Sequence, residues 1–258
     1  MTDLAAVLSG ERRWCVITAD CRDVLAEIPD GAVDAVVTDP PYGHGAYETD
    51  RAVGVDVYRR LIDAGTCCAC FGYPEAMVAL CIKLSLVPSK WVTWFPPNKP
   101  IGRGGVLCKV QEVIAFWGKI QRDATVLQSR TAKGKEVRAY LQGIRPIKNS
   151  QDLDYCKASD VMQDSAPGTM FNAHLRQHPN EKPVTLMRKV CQIASPDAAL
   201  ILDPFCGSGT TGVACMQLGR RFIGVEIDPG YAEIARKRID AAERQGRIQF
   251  PTKVSGVV

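Results

Sequence analysis

The run Leu200–Gly212 (LILDPFCGSGTTG) constrains the fold more than any other stretch of these 258 residues. Three apolar residues lead into Asp203-Pro204, and glycines follow at 207, 209 and 212 with threonines between the last two. A short apolar run closed by turn residues reads as a buried strand, and the threonines read as the opening of a helix. A strand, a glycine-rich turn and a helix make half of a βαβ unit, whose second strand returns parallel to the first. Helical patterning over Thr210–Leu218, a strand at Phe222–Glu226 and a helix at Tyr231–Glu243 complete it.

The same alternation fills the first half of the chain. Strand-like runs stand at Trp14–Thr18, Val33–Thr38, Thr66–Phe71, Trp91–Phe95 and Glu112–Trp117, with helical patterns at Arg22–Ile28, Val55–Ala64 and Pro74–Leu84. A helix from Pro183 to about Ala194 and a strand at Ala199–Asp203 lead into the glycine turn. This predicts an α/β fold, a doubly wound mixed sheet of the Rossmann-like kind. An apolar content of 46% suffices for one large core with an insertion. Residues about 120–173 break the pattern, being basic, polar and weakly periodic. The expected division is therefore 1–118, an inserted region 119–173, a second half 174–245 and a loosely held tail 246–258.

The glycine loop suits a ligand containing a ribose. Glycines let the backbone come close, and a helix N-terminus offers unpaired amides. Glu226 stands nineteen residues beyond Gly207, where an acid grips ribose hydroxyls. No Gly-Lys-Ser/Thr closes the loop, so a phosphate-binding P-loop is excluded. A dehydrogenase would continue through a second βαβαβ half, and the residues left after Gly212 are too few for one. Asp203 at the strand end would repel a pyrophosphate and suits a cation such as a sulfonium. S-adenosylmethionine is the expected ligand.

A second stretch, Val36–Gly43 (VVTDPPYG), ends an apolar strand with an acid, two prolines and a tyrosine. Consecutive prolines fix two torsions and remove two amide donors, so the nearby carbonyls are rigid acceptors for another group.

The pair TDPPYG and LDPFCGSGTTG resembles the amino-methyltransferases of DNA, in the permuted β arrangement where the catalytic motif precedes the cofactor motif. The resemblance covers roughly residues 14–118 and 174–240. It also takes in ADCRDVLAEIPDGAVDAVVTDPPYG, HPNEKPVTLMRKV (His178–Val190) and RRFIGVEIDPGYAEIARKRI. It implies direct methyl transfer from S-adenosylmethionine to a base flipped out of DNA, with Asp39, Pro40, Pro41 and Tyr42 catalytic and Tyr42 stacking on the base. It implies a cofactor loop of Asp203, Phe205, Gly207, Ser208, Gly209 and Thr210, with Glu226 on the ribose. Asp20 and the Cys21 backbone would face the adenine of the cofactor, and Lys182 would lie near the methionine carboxylate. A helix N-cap is the competing reading of Asp20, and a plain exposed lysine that of Lys182. Asp39 resembles the adenine-modifying members, which points to the N6 amine; the alternative is the N4 amine of cytosine. RNA amines, a protein amide and a catalytically silent DNA-binding protein are the remaining readings.

Charge adds a partner. Between Lys119 and Lys148 eight basic residues stand against Asp123 and Glu136, a net +6 in a chain of net +4. Lys119, Arg122, Arg130, Lys133, Lys135 and Arg138 are the candidate phosphate contacts on DNA. The inserted region is short, which suggests a homodimer or a short target site. Whether a restriction enzyme accompanies the chain is not encoded. No apolar run approaches a membrane span, and no secretory signal opens the chain, so the cytoplasm is the expected location. The 11 cysteines follow no framework spacing and suit reduced, packed thiols. Cys67-Cys68-x-Cys70 lacks a second pair and there are only three histidines, so no metal is expected.

Overall fold

A computed structural model describes residues 2–41, 54–95, 112–121, 161–163 and 181–249. Its strands are β1 (Trp14–Thr18), β2 (Ala35–Thr38), β3 (Cys67–Gly72), β4 (Lys90–Phe95), β5 (Glu112–Gly118), β6 (Val161–Gln163), β7 (Leu200–Asp203) and β8 (Arg221–Glu226). They form one sheet in the order β1-β8-β7-β2-β3-β5-β4-β6. The stretch from β1 through β3 is parallel, while β5 runs antiparallel to both β3 and β4. The helices are α1 (Asp3–Leu8), α2 (Cys21–Glu27), α3 (Val55–Ala64), α4 (Pro74–Leu84), α5 (Val184–Ala194), α6 (Thr210–Gln217) and α7 (Pro229–Gln249).

Alternation along the strands builds two cores. Ala35, Val37, Ile201 and Phe222 face α5, α6 and α7, whereas Val36, Leu200, Leu202 and Ile223 face the cluster of α1, α2, α3 and α4. Central parallel strands covered on both faces read as continuous apolar runs, which is why β2 and β7 are legible in the sequence.

Four elements depart from the sequence-based expectation. The helix α7 runs on to Gln249, into the stretch expected as a loosely held tail. The helix α1 is only six residues long and is capped by Thr2, whose hydroxyl accepts from Ala5 N; so short a segment shows no periodicity. The strand β6 lies within the expected insertion and pairs with β4 at the sheet edge over three residues. β2 opens at Ala35 rather than Val33, because the Asp34 carboxylate accepts from Leu200 N and Val33 only bridges Gly65.

The strand order places the site. β2 and β7 are parallel neighbours, and the chain leaves β2 toward β3 on one side and β7 toward β8 on the other. A crevice therefore opens outside their carboxyl ends, where open α/β sheets bind ligands. Asp39 follows β2 and Asp203 ends β7, so the two sequence motifs meet there.

Candidate active site

Asp203 is the joint between the motifs. Its carboxylate accepts from Thr38 Oγ1 at 2.8 Å, Thr211 Oγ1 at 2.6 Å and Phe205 N at 3.2 Å. Thr38 is fully buried and Asp203 is 3% exposed. The acid thus faces inward and organises the loop. Burial pushes its carboxyl up to about 6, against the hydrogen bonds that favour the anion. The folded state therefore binds the proton more tightly than the unfolded chain does, and ionising Asp203 costs stability as pH rises from about 4 to about 6. The unfolding free energy of Asp203→Asn relative to wild type should rise across that window. The change is on the order of 3 kcal/mol for a two-unit displacement, measured by urea unfolding at pH 4 and pH 7. A difference that stayed constant with pH would refute this.

The loop after β7 is held from three sides. Gly207 N donates to Glu226 Oε2 at 2.9 Å, and the other Glu226 oxygen accepts from Asp228 N at 2.9 Å. Burial raises the Glu226 carboxyl above its ordinary value, partly offset by these amides. Gly209 is the N-cap of α6 in the left-handed conformation and provides no side-chain cap, which leaves the first amides of the helix to other acceptors. Arg238 of α7 donates to the Ser208 carbonyl at 2.7 Å and hydroxyl at 2.6 Å, and its other nitrogen donates to Glu181 at 2.5 Å. Arg238 ties the glycine loop to the segment that carries Lys182; nothing in its sequence surroundings marks it out.

Asp39 is half-buried, Pro40 is buried and Pro41 half-buried. Lys182 Nζ donates to Asp39 Oδ2 at 2.5 Å and forms an ion pair with Glu112 Oε2 at 2.9 Å. The ammonium also stands 5.4 Å from the Phe71 ring centroid and 5.6 Å from that of Trp94. Burial acts to lower its pKa, but the Asp39 and Glu112 charges outweigh burial and raise it. Lys182 is thus neither an exposed lysine nor set apart from the catalytic motif. Glu112 is not singled out by its sequence. It opens β5, and antiparallel pairing of β5 with β3 carries that first residue to the carboxyl edge of the sheet. Trp94, part of a run with no role legible in sequence, lies there for the same reason, opposite Glu112 in the β4–β5 register.

Asp20 is the N-cap of α2: its carboxylate accepts from Arg22 N at 2.9 Å and pairs with the Arg22 side chain, which holds it down at about 2. β1 lies beside β8 with Thr18 opposite Glu226, so Asp20 and Cys21 sit beyond the same edge as Glu226. Lys119 does not join the site. Gly118 pairs with Cys67 at the start of β3, so Lys119 lies exposed at the opposite end of the sheet, its N–H on the Thr66 carbonyl. Tyr42, Arg122, Arg130, Lys133, Lys135 and Arg138 lie outside the described residues. Among the described residues no cluster of His, Cys, Asp and Glu could hold a metal, and no helix is long and apolar enough to cross a membrane.

The DNA methylase family model of the N6/N4 type matches residues 33–237, from before Asp39 to beyond Glu226. The chain belongs to this DNA methylase family. It is similar to the type II methyltransferase M2.DpnII of Streptococcus pneumoniae, with 48% identity over 65 residues. That match spans 25% of the chain and 24% of the relative. Among solved structures, the complex of M1.HpyAVI with SAM superposes at a TM-score of 0.60 with 21% identity, covering 88% of this chain and 99% of that one. The PvuII DNA methyltransferase, described as cytosine-N4-specific, superposes at 0.59 with 15% identity over 95% and 96% of the two chains. The fold of this family member is that of these enzymes: a Rossmann-like mixed sheet.

Proposed function

We propose that this DNA methylase family member transfers a methyl group from S-adenosylmethionine to the N6 amine of adenine in DNA. The observation that carries the reading is the meeting of Asp39 and the glycine loop at one crevice, through the Thr38–Asp203 hydrogen bond. The residues fit the cofactor. Uncapped α6 amides and the Glu226 carboxylate suit a ribose, and the surrounding carboxylates disfavour a pyrophosphate and favour a cation. When bound, S-adenosylmethionine supplies an electrophilic methyl group.

The chain supplies orientation. The Asp39 carboxylate and the Pro40 carbonyl accept the two N–H groups of the target amine, which turns the lone pair out of conjugation with the ring. Because the prolines hold these acceptors rigid, little reorganisation remains for the transition state. A base in this position has left the duplex stack. Tyr42 stacks on it, and the basic segment that includes Lys133, Lys135 and Arg138 binds phosphates. Neutralising those three residues should weaken DNA binding and flatten its log–log salt dependence by about 0.9 for each phosphate that is no longer neutralised. An unchanged salt slope in a fluorescence titration would remove that segment from the interface.

Asp39, in place of a serine, favours adenine through the resemblance, while a carboxylate can also accept from the cytosine amine. The N4 amine of cytosine is the second reading, since the family takes in both and the PvuII enzyme shares the fold. Incubating DNA, RNA and protein separately with the chain and labelled S-adenosylmethionine, then digesting each and identifying the labelled species by mass, tests both. N6-methyl-2′-deoxyadenosine is the expected product. N4-methylcytosine alone would change the base and keep the mechanism, and label in RNA or protein only would overturn the reading.

A further inference from the structure

The buried charges behind Asp39 are more numerous than the transfer requires. Asp39 follows β2, Glu112 opens β5 and Lys182 precedes α5, yet their charged groups converge; the side chains of Lys182, Glu112 and Asp39 are 8%, 5% and 19% exposed. Buried ion clusters stabilise a fold no better than well-packed apolar residues of the same volume. Packing therefore gives little reason for an ammonium between two carboxylates and two aromatic rings. We infer that Lys182 and Glu112 are positioning residues for Asp39: Glu112 and the aromatic walls hold the ammonium, and the ammonium keeps the Asp39 carboxylate ionised and fixed in direction. The inference rests on the proposed transfer at Asp39.

Asp39 must be ionised, because a protonated carboxyl would offer the target amine a donor where an acceptor is needed. Other carboxylates stand close to it. Glu112 faces it from β5 and Asp203 from β7, and two carboxylates in one buried site tend to share a proton. Further titratable neighbours among the described residues are Tyr58 from α3, Cys70 from β3 and Tyr73 just beyond β3. Burial pushes all three upward, which leaves them neutral near pH 7. Lys182 is the cation set against the carboxylates. Its ammonium stands over the Phe71 and Trp94 rings, and Glu112 holds it as a second carboxylate beside Asp39.

Opposite shifts in pH dependence follow. Single-turnover methyl transfer to DNA is measured from pH 5 to 9 for wild type, Lys182→Met, Glu112→Gln and the double variant. In Lys182→Met the two carboxylates lose the ammonium that both of them touch. The acidic limb should move up by about one to three pH units, with a loss of at least about tenfold at pH 7 that recovers toward pH 9. In Glu112→Gln a competing carboxylate is removed from the ammonium that pairs with Asp39, and the limb should move to lower pH. The double variant should be more active at pH 7 than Lys182→Met, because the competing carboxylate is gone. A rate lowered equally at every pH, or a Lys182→Met whose only change is weaker S-adenosylmethionine binding by calorimetry, would overturn the assignment. Glu112→Gln is nearly isosteric, so an unshifted limb there overturns it even if Lys182→Met does not fold. A wild type that transfers no methyl group to DNA overturns the underlying function instead, which an active wild type with unshifted variants does not.

Discussion

Asp39→Ala should bind S-adenosylmethionine as wild type does and lose methyl transfer. The variant lacks one charge-assisted acceptor for the target amine, worth roughly 1.5–3 kcal/mol, which alone slows the rate about ten- to hundred-fold. Misorientation of the amine adds to that. The Lys182–Asp39 pair predicts a second effect: alanine removes one carboxylate from the buried ammonium. Removing one partner of a buried ion pair costs about 3–5 kcal/mol, so the variant should also melt at lower temperature. Asp39→Asn, which keeps an acceptor oxygen and the side-chain volume, should lose less stability while still losing most of the rate. Transfer of labelled methyl to DNA, calorimetry of cofactor binding and thermal unfolding separate the three quantities. Near-wild-type transfer by Asp39→Ala would end the proposed role of the motif.

Gly209→Val should lose both fold stability and cofactor binding. The glycine has φ +81°, and a Cβ there would lie 2.8 Å from Ala235 Cβ and 2.9 Å from Ala235 Cα. The second approach is to helix backbone, so α7 must shift as a body. A β-branched residue in the left-handed region adds about 1–2 kcal/mol of strain to that clash. A total of about 4 kcal/mol would lower the melting temperature by roughly 10 °C in a domain of this size. The sequence suggests that this glycine clears space for a ligand; the structure points its missing Cβ at α7 instead. Binding is then abolished indirectly, as displacement of α7 pulls Arg238 from Ser208. A valine variant with wild-type melting and absent cofactor binding would favour the ligand-clearance explanation over packing. Gly212→Ala meets mainly the flexible tip of Ile239 and the ring of Phe222, and should cost less.

What the sequence determined by itself was everything carried by local pattern. The apolar runs of β2 and β7 are buried on both faces and short, so they stand out, and each ends in residues whose torsions and polarity announce a turn with chemistry attached. The alternation of periods set the class of fold, and Asp39, the glycine loop, Glu226 and Lys182 were all legible as candidates. Tertiary structure decided what each of them touches. Asp203 turned inward because Thr38, Thr211 and the Phe205 amide satisfy its oxygens. Asp20 caps its own helix, at the same edge of the sheet as Glu226. Glu112 enters the site and Lys119 stands at the far end of the sheet for one reason: β5 runs antiparallel to β3, so its first residue reaches the carboxyl edge and its end reaches the far side. Strand direction is settled by long-range hydrogen bonding between segments some forty residues apart, and residue spacing along the chain carries no trace of it.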